Sequence, residues 1–342
     1  MSLLLPPRAL AEERGTIWAW PAPVVAAAFD SAGHLAFGLG DGTVRLAEPD
    51  VPEAVAVPAH RGAVLALGAD VGEGFLSGGD DGRLLHVGPD GTVAEIAAAQ
   101  GRWISAVDAA PATGRRLAVA GSEVLVFDAD GAPVTRLQGP AGLDGAAFDP
   151  RGRRIAAAHY GGVTVWSPRK RAWAAKLYGW QGAHLAVLWH PRSRFVVSAM
   201  QEKALHAWRL SDCVHMQMPG YPTKPRSLAW ADNGRTLLTS GSEGVVSWRF
   251  TGRDGPMGGT ASESGWARGV PITRVAAHPQ LPVAAAGAKD GFVALMPLDG
   301  SGYVPVLRPN GAAVEALAFS PDGRWLAAGD AGGRATLVDL QP

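Results

Sequence analysis

Residues 314–340 read VEALAFSPDGRWLAAGDAGGRATLVDL, and this stretch is the clearest copy of a pattern that recurs along the chain. An apolar run ends in a Pro-Asp-Gly turn, a second run of small and apolar residues ends in a Gly-rich turn, and a third run closes on Val338 and Asp339. Proline presets one turn dihedral and glycine accepts a positive φ, so both turns are typical of hairpins. The stretch therefore predicts three short antiparallel strands.

Similar copies precede this stretch at a nearly constant spacing. A period of about 40 to 45 residues is the one expected for four-stranded propeller blades. A fourth, outer strand is predicted between copies, for example at residues 53–58, 133–137, 173–178 and 303–307. Aligned on the first apolar run, the copies start near Val24, Val64, Ile104, Leu143, Leu185, Ser227, Ile272 and Val314.

The last copy has no segment after it that can form its outer strand, while residues 16–20 precede the first copy without a blade of their own. We expect residues 16–20 to complete the last blade, because a closed ring leaves no unpaired blade. The sequence thus predicts an all-β fold, a β-propeller of four-stranded antiparallel blades closed by the N-terminal strand. Eight blades are expected, with seven as the alternative, in a single domain over residues 1–342. The expected blades lie near residues 24–58, 64–98, 104–138, 143–178, 185–219, 227–269, 272–308, and 314–340 with 16–20.

The composition agrees with many strands and tight turns. Hydrophobic residues make up 47% of the 342 residues and charged ones 18%, and the chain has 45 glycines and 26 prolines without a collagen-like period. The 31 basic and 31 acidic residues balance, so the net charge gives no reason to expect a polyanionic partner. The single Cys213, the absence of a secretory signal and the absence of a run of about 20 apolar residues lead us to expect a cytoplasmic protein.

The third strand ends in a tryptophan in three of the copies, at Trp166, Trp208 and Trp248. On this feature, the spacing and the turn chemistry, the chain resembles the WD-repeat β-propeller family from about residue 16 to residue 340. In that family a His before the first strand, a Ser or Thr in the second, an acid in the second turn and the Trp of the third form a structural hydrogen-bond set. The resemblance assigns this role to His184, Ser198, Glu202 and Trp208 and, with Val87 in the Trp place, to His60, Ser77 and Asp81.

The resemblance also implies a function. It favours a monomeric, non-enzymatic protein-protein interaction scaffold or adaptor, with protein partners and no cofactor. In WD-repeat proteins partners commonly dock on the face formed by the loops into the first strands and by the turns between the second and third strands, which we call the upper face. Arginine and aromatic residues are frequent interface anchors, although each Trp is equally typical of a residue that packs on its own blade. The candidates on this face are Arg61, Arg102, Trp103, Trp180, Lys224, Arg226, Arg268 and Lys289. Trp266, on the Gly- and Ser-rich loop 251–269, is a separate candidate anchor.

The alternative is a propeller enzyme or metal-binding propeller with a site at the mouth of the central channel. The predicted innermost strands are almost entirely apolar or small, and their only acids, Asp108, Asp144 and Glu315, lie on different blades at different depths. This arrangement does not make a cage of oxygen ligands. We expect no catalytic residue, no cofactor and no metal.

A soft-ligand cluster at Cys213, His215, Met216 and Met218 raises the metal question separately, because thiolate, imidazole and thioether groups select Cu(I) or Zn. Strand alternation sends Cys213 and His215 to one side and the two methionines to the other. An outer strand with incidental side chains is the favoured interpretation, and whether Cys213 and His215 bind metal is left open.

A weaker alternative is a nucleic-acid or anionic-surface binder. Basic residues are concentrated in the turns after the first and third strands of the third to fifth copies, which emerge on the opposite, lower face. Solvated arginines after such turns are common, so the patch has a plain structural explanation as well. The candidates are Arg151, Arg153, Arg154, Arg169, Lys170 and Arg171, with Arg115, Arg116, Arg192 and Arg194 in neighbouring turns.

Overall fold

A computed structural model describes residues 8–49, 51–170, 172–265 and 269–341. This part of the chain contains the helix α1, Leu10–Arg14, a 3-10 turn at Asp232–Gly234, and antiparallel strands elsewhere. None of its helices is long and apolar enough to cross a membrane. The strands are β1 Gly15–Ala19, β2 Val24–Phe29, β3 Leu35–Leu39, β4 Thr43–Ala47, β5 Val55–Pro58, β6 Val64–Ala69, β7 Phe75–Gly79, β8 Arg83–Val87, β9 Val93–Ala98, β10 Ile104–Ala110, β11 Arg115–Ala120, β12 Glu123–Phe127, β13 Pro133–Gln138, β14 Leu143–Phe148, β15 Ile155–Pro168, β16 Trp173–Trp189, β17 Phe195–Met200, β18 Leu205–Arg209, β19 His215–Met218, β20 Leu228–Ala231, β21 Thr236–Thr239, β22 Val245–Arg249, β23 Ser262–Ser264, β24 Ile272–Ala277, β25 Val283–Ala288, β26 Val293–Pro297, β27 Val304–Leu307, β28 Val314–Phe319, β29 Trp325–Asp330 and β30 Arg334–Asp339.

The predicted first strands are present and form the inner lining of a ring. They are β2, β6, β10, β14, the second half of β16, β20, β24 and β28. We number the repeats one to eight by these innermost strands. Within each repeat the following strands pair in order outward, as in β2-β3-β4-β5, so the all-β propeller with four-stranded antiparallel blades is confirmed.

The prediction of eight separate blades is wrong. The described strands form seven hydrogen-bonded sheets, which agrees with the alternative of seven blades. Six of these sheets have four strands and one has six, in the order β14-β15-β16-β17-β18-β19. The six-stranded sheet joins repeats four and five. Its strand β16 runs without interruption from the outer edge of repeat four, where Trp173 pairs with Pro168, to the centre of repeat five, where Trp189 pairs with Val196.

The physical reason lies at the junction of the two repeats. At other junctions on the upper face, the turn between the second and third strands of one repeat contacts the loop that leads into the next repeat. The contact consists of isolated main-chain hydrogen bonds, such as that from His60 N to Gly42 O at 2.9 Å. Between repeats four and five the same contact is a strand ladder, in which Tyr160 pairs with Ala183 and Gly162 with Gly179. Backbone pairing therefore joins the sheets of repeats four and five, whereas the sheets of other neighbouring repeats are separate.

The N-terminal segment closes the ring, as predicted. Strand β1 pairs antiparallel with β30 from Gly15 opposite Val338 to Ala19 opposite Arg334, and it completes the sheet β1-β30-β29-β28. Trp18 of β1 is 5% exposed and packs in a core with Trp20 and Phe37. The last repeat thus takes its outer strand from the opposite end of the described chain.

The second strand of each repeat carries the core. Strands β3, β7 and β17 are buried at every position, because both faces of a blade pack against neighbouring blades. Small residues in these strands let the next innermost strand approach closely. A β-carbon at Gly78 would overlap Ile104 Cγ2, and one at Gly329 would overlap Val24 Cγ1 across the closing junction.

Polar bonds between repeats hold the lower face. Buried Asp30 accepts a hydrogen bond from Gly74 N at 2.7 Å, linking repeats one and two. Asp70, whose side chain is fully buried, accepts from Arg116 Nε at 2.6 Å and Nη2 at 2.8 Å, linking repeats two and three. Asp30 and Asp70, which follow the innermost strands β2 and β6, therefore have a structural role.

Candidate functional site: a basic pocket on the upper face

The predicted hydrogen-bond set of repeat two is formed. His60 Nδ1 lies 2.9 Å from Asp81 Oδ1, and His60 Nε2 lies 2.9 Å from Ser77 Oγ. Asp81 also accepts hydrogen bonds from the main-chain N–H groups of Arg61 and Arg83, each at 3.1 Å. The set fixes the loop into the repeat, and with it the position of Arg61.

The set of repeat five is formed only in part. His184 Nδ1 lies 2.6 Å from Ser198 Oγ, but Glu202 accepts from Ala183 N at 3.1 Å rather than bonding to the imidazole. Trp208 does not join the set, because its buried Nε1 has no hydrogen-bond partner among the described residues. The Trp208 ring instead contacts that of His206, with centroids 4.4 Å apart.

Sequence reasoning missed a related set in repeat six. Tyr221 OH lies 2.8 Å from Thr239 Oγ1 and accepts a hydrogen bond from Trp248 Nε1 at 2.8 Å. Burial raises the pKa of Tyr221 to about 12, so the hydroxyl remains protonated. Tyr221 takes the place of the histidine, a replacement that a search for the family's histidine does not find.

Some of the upper-face candidates contact other residues of the chain, and others are exposed. Arg102 is ion-paired with Glu123. Trp180 stacks on His206 with ring centroids 4.4 Å apart, so it packs on its own repeat. Trp103 is 66% exposed and Arg61 is exposed as well. Trp266 and Arg268 lie outside the described residues.

The remaining candidates come together. Lys224, Arg226 and Lys289 line one pocket of about 400 Å³ on the upper face, although they belong to repeats six and seven. Lys203, from the turn between the second and third strands of repeat five, and Arg274, from β24, line it as well. We call this the basic pocket, and its other lining residues are Pro222, Thr223, Pro271, Ile272, Thr273, Ala313 and Glu315.

Arg274 and Glu315 form the inner wall of the basic pocket. Arg274 Nη2 donates to Glu315 Oε2 at 2.6 Å and its Nε donates to the main-chain oxygen of Glu315 at 2.6 Å. Burial lowers the pKa of Arg274, and nearby Arg226 adds to the lowering while Glu315 opposes it. Arg226, Arg274 and Glu315 also line the cavity of the central channel, so the pocket lies at the channel mouth.

The four other cations of the pocket have no ion-pair partner in the part of the chain that the structure describes. The acids next to two of them in sequence are directed elsewhere. Glu202 accepts from Ala183 N, and Asp290 Oδ1 accepts from Phe292 N at 3.1 Å. The described part of the lining therefore presents one carboxylate, that of Glu315, and five cations, Lys203, Lys224, Arg226, Arg274 and Lys289.

The loops that carry the cations are held in place by hydrogen bonds. Ser240 Oγ accepts from the N–H groups of Arg226 and Ser227, both at 3.0 Å. Thr223 N donates to Gly241 O at 3.0 Å, and Lys289 N donates to Pro271 O at 2.9 Å. The pocket is thus preformed by its framework, with only the long basic side chains left to adjust.

Two of the acids on the innermost strands, Asp108 and Asp144, differ in their surroundings. Asp108 Oδ2 accepts from Phe148 N at 2.7 Å, and burial raises the pKa of Asp108 to about 6. Asp144 is exposed at the start of its strand. No group of three or more His, Cys, Asp or Glu side chains suited to a metal ion occurs within the described ranges.

The soft-ligand cluster is divided as the strand alternation predicts. Met218 is fully buried and Met216 packs against the same core, while His215 and Cys213 are exposed. His215 Nδ1 lies 3.0 Å from Nε2 of buried His206, and burial lowers the pKa of His206 to about 3. The two imidazoles therefore pair with each other.

On the lower face several basic candidates have structural partners. Arg154 Nε donates to Asp149 Oδ2 at 3.0 Å, and its guanidinium lies 4.7 Å from the Trp189 ring centroid. Arg116 bonds Asp70 and Arg194 donates to Gly252 O. Arg115 lies over the Trp173 ring, while Arg151, Arg153, Arg169, Lys170 and Arg192 are exposed and Arg171 falls outside the described residues.

The pocket residues that sequence reasoning missed carried weak signals. Lys203 occupies the same turn in repeat five that Lys289 occupies in repeat seven, so the repeat alignment could have found it. Arg274 is the single charged residue in the run ITRVAA, and Glu315 is the single charged residue in the matching run VEALAF of the next repeat, one position earlier. Their convergence on one pocket depends on the ring geometry.

Comparisons with known proteins agree with this fold. Residues 303–339 match the family model described as WD domain, G-beta repeat. The crystal structure of the computationally designed Ika8 protein is similar over 95% of this chain and 98% of its own, with a TM-score of 0.75 and 18% sequence identity. At that identity the likeness concerns the fold alone. No curated protein sequence matches the chain.

The family match covers the repeat that is also the clearest in the sequence, and its strands β28, β29 and β30 belong to the sheet that the N-terminal strand closes. The other sheets repeat the same antiparallel order around the ring. The matched repeat and the propeller architecture together support a WD-repeat β-propeller family.

Proposed function

We propose that this chain is a non-enzymatic protein-interaction scaffold that docks its partner on the upper face. The observation that carries the proposal is the basic pocket, in which cations from separate repeats converge on preformed loops without partners of their own among the described residues. Framework arginines of this chain, such as Arg116 and Arg154, are by contrast satisfied internally. Cations left unpaired at a concave site are groups available to a partner.

A second feature of the same face supports the proposal. Trp103 stands 66% exposed in the loop into repeat three, next to Arg102. Tryptophan and arginine are enriched among the residues that dominate binding energy at protein interfaces. WD-repeat propellers commonly serve as protein-interaction scaffolds, and both features lie where such a scaffold presents its loops.

The chain offers a natural test because it has five lysines with distinct locations. Lys203, Lys224 and Lys289 line the basic pocket, whereas Lys170 lies on the lower face and Lys176 on the outer edge of repeat four. Affinity capture from a lysate of the source cells, followed by amine-specific crosslinking and peptide mapping, reports which face the partner covers. We expect crosslinks from a captured protein to the three upper-face lysines.

Two results contradict the proposal. One is crosslinking mainly through Lys170 or Lys176, which places the partner on another surface. The other is repeated capture, with crosslinking, that retains no protein. A matched control is the variant Leu177→Ala, since Leu177 is 59% exposed on the outer edge and its loss should leave capture unchanged.

A further inference from the structure

We infer that the basic pocket binds a short acidic segment of a protein partner, with carboxylates held by the cations of three repeats. The inference rests on the proposed function, because it names the chemistry of the docking site. Three of the five lysines of the chain line this single pocket although they are distant in sequence. The convergence comes from three separate loops, which the ring brings together.

The basic pocket carries an excess of positive charge. Among the residues that the structure describes, the lining has five cations and one carboxylate. Burial lowers the pKa of Arg274, and nearby Arg226 adds to the lowering. Like charges gathered in a partly buried pocket repel one another, and an anion relieves the repulsion. A ligand with two or more negative groups matches this pattern better than a single charge does.

The wall of the pocket already shows a preference for a carboxylate. Glu315 accepts from Arg274 Nη2 at 2.6 Å, with side chains only 24% and 32% exposed for Arg274 and Glu315. Arginine and lysine hydrogen bonds to carboxylates are short and strong because both partners are charged. An incoming carboxylate therefore meets the same chemistry at Arg226, while the charge of Glu315 opposes its approach.

The shape of the basic pocket favours a peptide over nucleic acid. The cations surround a concave pocket of about 400 Å³ whose remaining lining includes Pro222, Pro271, Ile272 and Ala313. Such walls fit a small apolar side chain next to the acidic ones. A nucleic acid backbone is usually followed by an extended groove with aromatic residues for base stacking, and the described residues of this lining include no aromatic one.

The test measures binding of a fluorescent peptide, Glu-Glu-Leu-Glu-Ala-Glu-Glu, to the full chain by fluorescence polarisation. The variant combines Lys203→Glu, Lys224→Glu and Lys289→Glu, and the control combines Arg151→Glu, Arg153→Glu and Arg192→Glu on the lower face. Both variants change the net charge equally, so a general electrostatic effect cannot separate them. Circular dichroism melts verify that each variant is folded.

We expect the pocket variant to bind at least about tenfold more weakly, and the control to stay within about twofold of the unmodified chain. Affinity should fall when NaCl rises from about 50 mM to about 300 mM, since part of the pocket is solvent-exposed. The variant Glu315→Gln should bind about threefold or more tightly, because it removes the opposing charge. The peptide with glutamine in place of every glutamate should not bind.

Equal effects of the two charge reversals, no binding of the acidic peptide at low salt, or weaker binding by Glu315→Gln would each overturn the inference. Tighter binding of a single-stranded DNA oligonucleotide, lost in the pocket variant, would identify a nucleic-acid site instead. Capture separates the two proposals. A partner retained equally by the unmodified chain and the pocket variant leaves the scaffold in place and overturns the acidic-segment site.

Discussion

A clear stability prediction concerns the closing strand β1, because its side chain Trp18 is buried in the core. Trp18 is 5% exposed, its Nε1 donates to Pro52 O at 2.9 Å, and its ring stacks on Trp20 with centroids 5.9 Å apart. Truncating a buried tryptophan to alanine costs about 3–5 kcal/mol, of which the hydrogen bond accounts for about 1 kcal/mol. We expect Trp18→Ala to lower the free energy of unfolding by that amount, out of a total of about 5–15 kcal/mol.

Urea unfolding followed by far-UV circular dichroism measures the effect without relying on tryptophan fluorescence. Ile17→Ala is the matched control, since Ile17 lies on the same strand but is 50% exposed. It should cost less than about 1 kcal/mol. Trp18→Phe, which keeps an aromatic ring but loses the bond to Pro52, should fall between the two. If Trp18→Ala and Ile17→Ala unfolded at the same urea concentration, the packing and the hydrogen bond of Trp18 would not stabilise the closing strand as argued.

Two further predictions concern pH. The hydrogen bonds of His86 and Arg116 outweigh burial and lower the pKa of Asp70 to about 2, so its ionised form contributes stability above pH 4 that is lost as the pH falls towards 2. Asp70→Asn should cost about 3–5 kcal/mol at neutral pH and flatten the acid limb of the stability curve, and an unchanged acid limb in urea titrations would refute the assignment. Burial raises the pKa of Asp108 to about 6, so ionisation destabilises the fold as the pH rises from about 4 to 6. Asp108→Asn, whose amide oxygen still accepts from Phe148 N, should stabilise the protein by about 1–3 kcal/mol at pH 7.5 and by little at pH 4, and equal gains at both values would contradict the burial argument.

Much of the fold could be predicted because the residues of the turns determine the hairpins of each repeat locally. The Pro-Asp-Gly turn at residues 321–323 and the Gly-rich turn at residues 331–333 fix two hairpins without any distant contact. The ladder between Tyr160 and Ala183 could not be predicted in this way. It depends on how closely two repeats approach each other, and that distance is not encoded in the turns of either one.

The candidate site was predictable in its parts but not as a whole. Repeat alignment assigned Lys224, Arg226 and Lys289 to the upper face, and the structure adds Lys203 and Arg274 to the same pocket. Which basic side chains remain free is decided by tertiary pairing. Arg102 and Arg226 look alike in sequence, yet Arg102 is paired with Glu123 while Arg226 faces the pocket.

The continuous sheet through repeats four and five makes the ring unequally stiff. Bending at that junction has to break the backbone ladder around Tyr160 and Gly162, whereas at the closing junction Trp20 N meets Gly333 O through a loop contact. Angular motion between neighbouring blades should therefore concentrate away from β16, and slow amide hydrogen exchange should mark the joint. Lys203 lies in the turn between two strands of the continuous sheet, whereas the other cations of the basic pocket belong to repeats six and seven, so widening of the ring between repeats five and six would change the spacing of the cations.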